Sequence, residues 1–228
     1  MVGINLVRLR IQVNKRVFAI GNGESRKSID LNELRPHGII YGCNALYRDF
    51  TPDALIVVDQ LMKSEIRKTA YLVKNKGYFK DGTEESEPGL SYRLAKSLQV
   101  KEKIINNNDV IAKKFPDDAF RFGFASGPAS VLIACIEEEP DEVYLIGHDL
   151  YSTTEQLNNV YKDTENYLES SNDPTPPDNW ITQLKWCFND FNMIQFYKVS
   201  SLKKVNEWDE IENIHYITFD EMWIRLNR

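Results

Sequence analysis

The fold is decided by residues 17–25, which read Val17-Phe18-Ala19-Ile20-Gly21-Asn22-Gly23-Glu24-Ser25. Four apolar residues predict a buried strand, and the two glycines after it let the backbone turn tightly and approach a ligand closely. The residues that follow predict a helix over Ser25–Leu34. A helix that begins there would direct unpaired N–H groups and a partial positive charge towards a bound phosphate. The stretch therefore predicts a strand, a glycine loop and a helix that together hold a phosphate or a ribose.

Two common nucleotide-binding motifs do not fit this loop. A dinucleotide fingerprint requires a third glycine, and Arg26 occupies that position. A P-loop ends in Gly-Lys-Ser or Gly-Lys-Thr, and no such run occurs in the chain. Taken alone, the loop is also compatible with an ordinary turn between a strand and a helix.

The composition is that of a globular protein. The chain has 228 residues, of which 42% are hydrophobic and 27% are charged, and this suits one domain with a core of its own. Because we find neither a membrane-spanning apolar run nor a signal peptide, we expect a cytoplasmic protein without membrane insertion. Three widely separated cysteines predict reduced, buried thiols rather than a metal site: Cys43, Cys135 and Cys187.

Short apolar runs alternate with helical patterns, which predicts an α/β fold with a Rossmann-like, mostly parallel sheet flanked by helices. The predicted strands are Val17–Ile20, Gly38–Gly42, Leu55–Val58, Glu142–Ile146 and Ile194–Val199. The predicted helices are Ser25–Leu34, Leu61–Thr69, Gly127–Glu138, Asn179–Phe191 and Phe219–Leu226. Within a single domain over residues 1–228, we predict a polar insertion at 75–118 and a lid at 149–178, hereafter the lid segment.

Polar residues follow the carboxyl ends of four predicted strands, which is where ligands bind in open parallel sheets. They are Asn22, Asn44, Asp59 and the pair His148-Asp149. A second glycine turn, Ser126-Gly127, precedes the best-defined helix and offers N–H groups to an anion. Each of these residue types is also common in ordinary turns. Together they predict a nucleotide site at this edge of the sheet.

The charge is unevenly distributed along the chain. The net charge of −6 argues against a protein that coats nucleic acid through electrostatics alone. Residues 61–80, however, carry six basic residues and one acidic residue. Such a run is ordinarily a solvated face, but it also suits contact with an anionic acceptor. For that contact we name Lys63, Arg67 and Lys68.

Several of these segments resemble a known family. The glycine loop, with Ile29-Asp30 and Tyr41-Gly42-Cys43-Asn44, resembles the N-terminal half of the bacterial family-42 sialyltransferases. Ser126-Gly127 with its helix, and residues 142–151, resemble the second half. The layout is also similar to pterin-diphosphokinase-like domains, and the chain resembles uncharacterised proteins of large tailed bacteriophages. The resemblance covers residues 16–60 and 120–200.

The resemblance implies a glycosyltransferase that moves a sugar from a nucleotide-sugar donor to an acceptor hydroxyl. The expected donor is a sugar linked to cytidine monophosphate (CMP). The residues implied to hold the donor nucleotide are Gly21, Asn22, Gly23, Ser25, Asn44, Asp59, Ser126 and Gly127. Among them, Asp59 stands where the family has an asparagine. Ser126-Gly127 matches the loop that binds the base end of the donor nucleotide. The lid tyrosines implied to assist the leaving group are Tyr151 and Tyr161.

One catalytic feature of the family is missing. Its lid histidine, the general base, has no counterpart, because no histidine lies between His148 and His215. A base must accept the proton of the attacking hydroxyl, and Asp149, His148 and Asp59 are open alternatives for this role. No Asp-x-Asp motif occurs, so we expect no required metal or cofactor, although a role for Mg²⁺ stays open.

Three functions follow from the sequence. The first is the glycosyltransferase, and the phage resemblance implies a hydroxymethylated DNA base as its acceptor and the host cytoplasm as its location. A flipped-out base would be needed for such an acceptor to reach the site. The second is a diphosphotransferase of the pterin type, and the third is a non-catalytic nucleotide-binding protein. No oligomeric state is predicted.

Overall fold

The computed structural model describes residues 14–79, 124–152, 156–200 and 204–227. Within them, parallel strands form one seven-stranded sheet: β1 (Arg16–Ile20), β2 (Ile39–Cys43), β3 (Ala54–Val57), β4 (Gly77–Phe79), β5 (Glu142–Ile146), β6 (Gln195–Val199) and β7 (Ile214–Ile217). The order across the sheet is β4-β3-β2-β1-β5-β6-β7. The strand order reverses at the β1–β5 pair, where a ligand crevice forms in such sheets. The predicted Rossmann-like α/β fold is confirmed.

The helices flank this sheet. They are α1 (Gln60–Arg67), α2 (Tyr71–Lys74), α3 (Ser126–Glu138), α4 (Asp178–Asp190) and α5 (Phe219–Leu226). Helix α3 packs on β1, β2 and β3 and against α4, so most of its residues are buried. Helix α5 begins with a capping box, in which Thr218 and Glu221 each bond the backbone of the other.

The prediction of one helix over Ser25–Leu34 is wrong. The chain forms two short 3₁₀-helices there, Glu24–Ser28 and Leu31–His37. Ile29 between them is extended, with φ −131° and ψ 152°. The Asp30 carboxylate accepts a hydrogen bond from the Asn32 N–H at 2.9 Å and so begins the second helix. Local side-chain bonds of this kind compete with a continuous α-helix.

The sequence did not predict the two edge strands, β4 and β7. Strand β4 lies inside the predicted polar insertion, and from residue 80 that insertion lies outside the described residues. The three cysteines are buried free thiols, as predicted. In the part of the chain that the structure describes, no helix is long and apolar enough to cross a membrane.

Candidate functional site

A cavity of about 300 Å³ opens at the carboxyl edge of the sheet. Its wall contains every polar residue that we predicted at the strand ends: Asn22, Asn44, Asp59, His148 and Asp149. Ser126 and Gly127, at the start of α3, line the same wall of the cavity. The lid segment supplies the opposite wall through Tyr151, Leu157, Asn158, Asn159, Tyr167 and Leu168. The volume falls at the lower end of the range for small-molecule sites, roughly 300–1,000 Å³.

The glycine loop packs tightly on the loop after β5. The N–H groups of Gly21 and Gly23 donate to the carbonyl oxygens of Ile146 and Gly147, each at 2.8 Å. A Cβ on Gly21 would overlap the Gly147 carbonyl oxygen and lie 2.9 Å from its carbon. Gly147 has φ +71°, a left-handed conformation that favours glycine. These glycines therefore allow two backbones to approach each other beside the cavity.

Asp149 holds the glycine loop from the β5 side. Its Oδ2 accepts from the Ser25 N–H at 3.0 Å, and its Oδ1 accepts from the Ser25 hydroxyl. The Glu24 N–H donates to Asn158 Oδ1 at 2.8 Å. The N–H groups that were predicted to hold a phosphate are thus used within the protein, and Ser25 does not line the cavity. Contact between Ser25 and a donor stays a prediction.

A buried basic pair lies beside Asp149. Burial, helped by the charge of Lys198, lowers the pKa of His148 to about 4, so the ring is neutral at pH 7. Lys198, on β6, is 1% exposed. Burial lowers its pKa to about 8, while the nearby Asp149 carboxylate opposes that lowering. Sequence reasoning missed Lys198, although a lysine within the apolar run of a predicted central strand is itself a signal.

Asn44, Asp59 and Ser126 form a connected network on the cavity wall. The Asn44 Nδ2 donates to Asp59 Oδ2 at 2.8 Å, and the Ser126 Oγ donates to Asn44 Oδ1 at 2.7 Å. The same hydroxyl lies 3.5 Å from Asp59 Oδ2 and accepts from the Val58 N–H at 3.2 Å. The network fixes three polar side chains that come from three separate parts of the chain.

Helix α3 begins at the cavity without a side-chain cap. Its N-cap is Ala125, which has no side-chain oxygen to accept from the first turn. Among the described residues, nothing accepts from the N–H groups of Ser126 and Gly127. Free N–H groups and the positive end of the helix dipole make such a terminus a site for an anion.

One polar atom of the Asn22 side chain has no hydrogen-bond partner among the described residues. Its Nδ2 donates to the Tyr167 hydroxyl at 3.2 Å, but its Oδ1 is buried without a partner among the described residues. The Tyr167 hydroxyl also accepts from the Ala45 N–H at 3.4 Å, so its own hydrogen is available to a ligand. Tyr167 is therefore the lid tyrosine that contacts Asn22 at the cavity wall.

Tyr161 lies elsewhere. It does not line the cavity, and its side chain is buried against Arg26 and Asp49. The Arg26 Nη2 donates to the Tyr161 hydroxyl at 2.6 Å, and that hydroxyl donates to Asp49 Oδ1. Burial, followed by the bond to Asp49, raises the pKa of Tyr161 well above its usual range. This corrects the prediction that Tyr161 assists a leaving group, whereas Tyr151 does line the cavity.

Arg48 and Glu65 fasten the lid segment. The two side chains form a bidentate ion pair, in which Arg48 Nε donates to Glu65 Oε1 at 2.8 Å and Arg48 Nη2 donates to Glu65 Oε2 at 2.6 Å. Arg48 also donates to Thr164 Oγ1 and to the Glu165 carbonyl, each at 2.8 Å, while Asn166 Nδ2 donates to Glu65 Oε2 at 2.7 Å. Burial alone would raise the pKa of Glu65, but hydrogen bonds from Arg48, Tyr47 and Asn166 lower it to about 2.

We expect Arg48→Ala to release this part of the lid segment. The substitution removes the ion pair and both bonds to residues 164 and 165, so amide hydrogen exchange over residues 160–168 should accelerate at least about tenfold. Arg48→Lys keeps the charge but not the fork, and should give an intermediate rate. Lys74→Ala, at an exposed position of α2, should leave these rates unchanged. Unchanged exchange in Arg48→Ala would contradict the fastening role.

The basic residues predicted to meet an anionic acceptor are not all on the surface. Lys63 is 1% exposed, because it lies on the buried face of α1 with Met62 and Ile66. Its part in the predicted contact is therefore wrong. Arg67 and Lys68 are exposed at the far end of α1. DNA as the acceptor stays a prediction that no structural observation supports.

The cavity contains little positive charge. Of the described residues that line it, none is a lysine or an arginine. In the same described ranges, no group of three or more histidine, cysteine, aspartate or glutamate side chains is arranged to hold a metal ion. The uncapped N–H groups at the start of α3 are the part of the cavity that suits an anion.

Comparison with known proteins shows a shared fold. No family model matches the chain, and no curated protein matches its sequence. Among solved structures, the chain is similar to the monofunctional α-2,3-sialyltransferase Cst-I from Campylobacter jejuni, with a TM-score of 0.53, 16% identity, and coverage of 82% of this chain and 76% of that chain. A mutant of the α-2,3/8-sialyltransferase CstII matches with a TM-score of 0.49 and 19% identity, and the match covers 81% of each chain. The α-2,3-sialyltransferase from C. jejuni in apo form matches with a TM-score of 0.48 and 17% identity, and the match covers 82% of this chain and 76% of that chain.

Proposed function

We propose that this protein is a glycosyltransferase that uses a CMP-sugar donor. The fold that it shares with the sialyltransferase Cst-I supports the proposal, and so does the position of the cavity at the point where the strand order reverses. A CMP-sugar contains one phosphate, a pyrimidine nucleoside and a sugar. The cavity offers the start of α3, which has no side-chain cap, several amide and hydroxyl groups, and apolar surface from the lid segment.

The observation that carries the proposal is the balance of charge in the cavity. A single phosphodiester bears about one negative charge, which the free N–H groups at the start of α3 can hold. A diphosphate or triphosphate needs further cations from lysine, arginine or a metal ion. The described lining contains no lysine or arginine, its histidine, His148, is neutral at pH 7, and it includes two carboxylates, Asp59 and Asp149. This favours a nucleoside monophosphate donor over the triphosphate that a pterin-type diphosphotransferase would bind.

Each part of the donor has suitable partners. The phosphate would accept hydrogen bonds from the Ser126 and Gly127 N–H groups and from the Tyr167 hydroxyl, which would stabilise the charge of the departing CMP. The unsatisfied Oδ1 of Asn22 would accept from a ribose hydroxyl or from the amino group of cytosine. The rings of Tyr151 and Trp180 would contact the apolar faces of the donor.

The test is release of nucleotide and transfer of sugar from CMP-, UDP- and GDP-linked donors, with water or a panel of glycans as the acceptor. We expect CMP release from a CMP-sugar such as CMP-sialic acid, and little release from the diphosphate donors. Asn22→Ala should reduce kcat/KM at least about tenfold, because a buried polar contact to the donor is lost. Asn172→Ala, at an exposed position of the lid segment outside the cavity, is the control. Turnover of diphosphate donors alone would contradict the proposal.

A further inference from the structure

We propose that Asp59 is the general base that accepts the proton of the attacking hydroxyl. This inference rests on the proposed function and adds to it the residue that activates the acceptor. In the reaction, the acceptor oxygen forms a bond to the anomeric carbon of the sugar. The bond from that carbon to the phosphate oxygen breaks, and its electron pair leaves with CMP. The hydroxyl proton passes to Asp59 Oδ1 and from there to water.

Asp59 is the N-cap residue of α1, yet its carboxylate does not cap the helix. An aspartate at this position ordinarily accepts a hydrogen bond from an N–H group of the first turn. Here, none of the first-turn N–H groups donates to the Asp59 side chain, although the Asp59 backbone carbonyl accepts from the Lys63 N–H at 2.9 Å. The carboxylate is instead turned towards the cavity wall, where it bonds Asn44 and Ser126. In this orientation the carboxylate does not stabilise α1 as a cap, which favours a role for it in the cavity.

The network holds one oxygen of the carboxylate and leaves the other available. Oδ2 accepts from Asn44 Nδ2 at 2.8 Å and lies 3.5 Å from the Ser126 hydroxyl. For Oδ1, the described residues provide no hydrogen-bond donor, and the Asp59 side chain is exposed where it lines the cavity. A carboxylate with one anchored and one accessible oxygen is oriented to receive a proton.

The other titratable groups of the cavity are less suitable. Both oxygens of Asp149 accept hydrogen bonds from Ser25, and Asp149 is 4% exposed. His148 is 7% exposed, so little of its ring is accessible to an acceptor hydroxyl. Burial also raises the pKa of the Cys43 thiol to about 12, and it raises the pKa values of Tyr151 and Tyr167. Asp59 is therefore the exposed carboxylate among the described lining residues.

The test compares Asp59→Asn with the wild-type protein, using a CMP-sugar donor and the acceptor that gives the highest rate. We expect kcat to fall about 10²–10⁴-fold, while the Kd for CMP changes less than about threefold. Because the carboxylate does not cap α1, the melting temperature should stay within about 2 °C of the wild-type value. Gln60→Ala, at the exposed neighbouring position, should keep the wild-type kcat.

Two results would overturn the assignment while leaving the proposed function intact. One is an Asp59→Asn variant that transfers sugar at a kcat within threefold of the wild type. The other is a variant whose affinity for CMP falls at least tenfold while kcat is unchanged, which would make Asp59 a binding residue. If the wild type itself releases no CMP from any CMP-sugar, the proposed function fails and the inference fails with it.

Discussion

Gly21→Ala is expected to lower the free energy of unfolding by about 3 kcal/mol or more, as measured by urea denaturation. The added Cβ would overlap the Gly147 carbonyl oxygen, which belongs to the backbone and has no rotamer to change. The Gly21 N–H is bonded to the Ile146 carbonyl at 2.8 Å, so separating the two loops also disrupts this bond. Because the same loops form one wall of the cavity, affinity for the donor nucleotide should fall as well.

Gly127→Ala is the matched control. A Cβ at Gly127 would meet the His148 ring at 3.5 Å, an ordinary van der Waals distance. Alanine also suits the first turn of a helix better than glycine, so stability should stay the same or rise by up to about 1 kcal/mol. Wild-type stability of the Gly21→Ala variant would show that the two loops are not packed as described.

We expect Asp149→Ala to lower the free energy of unfolding by about 2–4 kcal/mol. The change removes both hydrogen bonds to Ser25 and leaves the buried Lys198 without the carboxylate that favours its charged form. Asp149→Asn keeps the side-chain volume and one acceptor oxygen, so a smaller loss of about 1–2 kcal/mol is expected.

An exposed aspartate of the lid segment provides the control for this experiment. Asp173→Ala should change the unfolding free energy by less than about 0.5 kcal/mol, since the Asp173 side chain is exposed. If Asp149→Ala were equally neutral, Asp149 would not be the residue that holds the glycine loop. Asp149 would then be free to serve as a base, and the argument for Asp59 would lose one of its supports.

The polar residues at the strand ends could be located from the sequence. Asn22, Asn44, Asp59 and His148-Asp149 each follow an apolar run directly, and parallel topology brings the carboxyl ends of the strands to one edge. All of them line the same cavity. Strand β5 and helix α5 also have the predicted bounds, because a continuous apolar run and a capping box are local signals.

Long-range pairing could not be predicted in the same way. Ser25 and Asp149 are 124 positions apart, and the sequence around Ser25 contains nothing that indicates its partner. Which lid tyrosine faces the cavity depends on turns with positive φ at Asp163 and Asn166. No periodic pattern encodes such turns, and the resemblance assigned the leaving-group role to Tyr161, whereas Tyr167 lines the cavity.

The burial of Lys63 could have been predicted from the helical spacing of the apolar residues around it. Counting charges over residues 61–80 treated the whole stretch as one solvated face. The spacing of Met62, Lys63 and Ile66 places Lys63 on the apolar side of an amphipathic helix, and the structure buries it there. Helical periodicity therefore predicts the surface of α1 better than its net charge does.

The measurement that tests the central claim most directly is the melting temperature of the protein with each nucleoside monophosphate. At about 100 times its Kd, CMP should stabilise the fold by roughly 2.7 kcal/mol, which corresponds to a rise of about 5–10 °C for a chain of this length. Uridine, guanosine and adenosine monophosphates should give clearly smaller shifts at the same concentration. A melting temperature that no nucleotide changes would contradict the assignment of this cavity as a donor site.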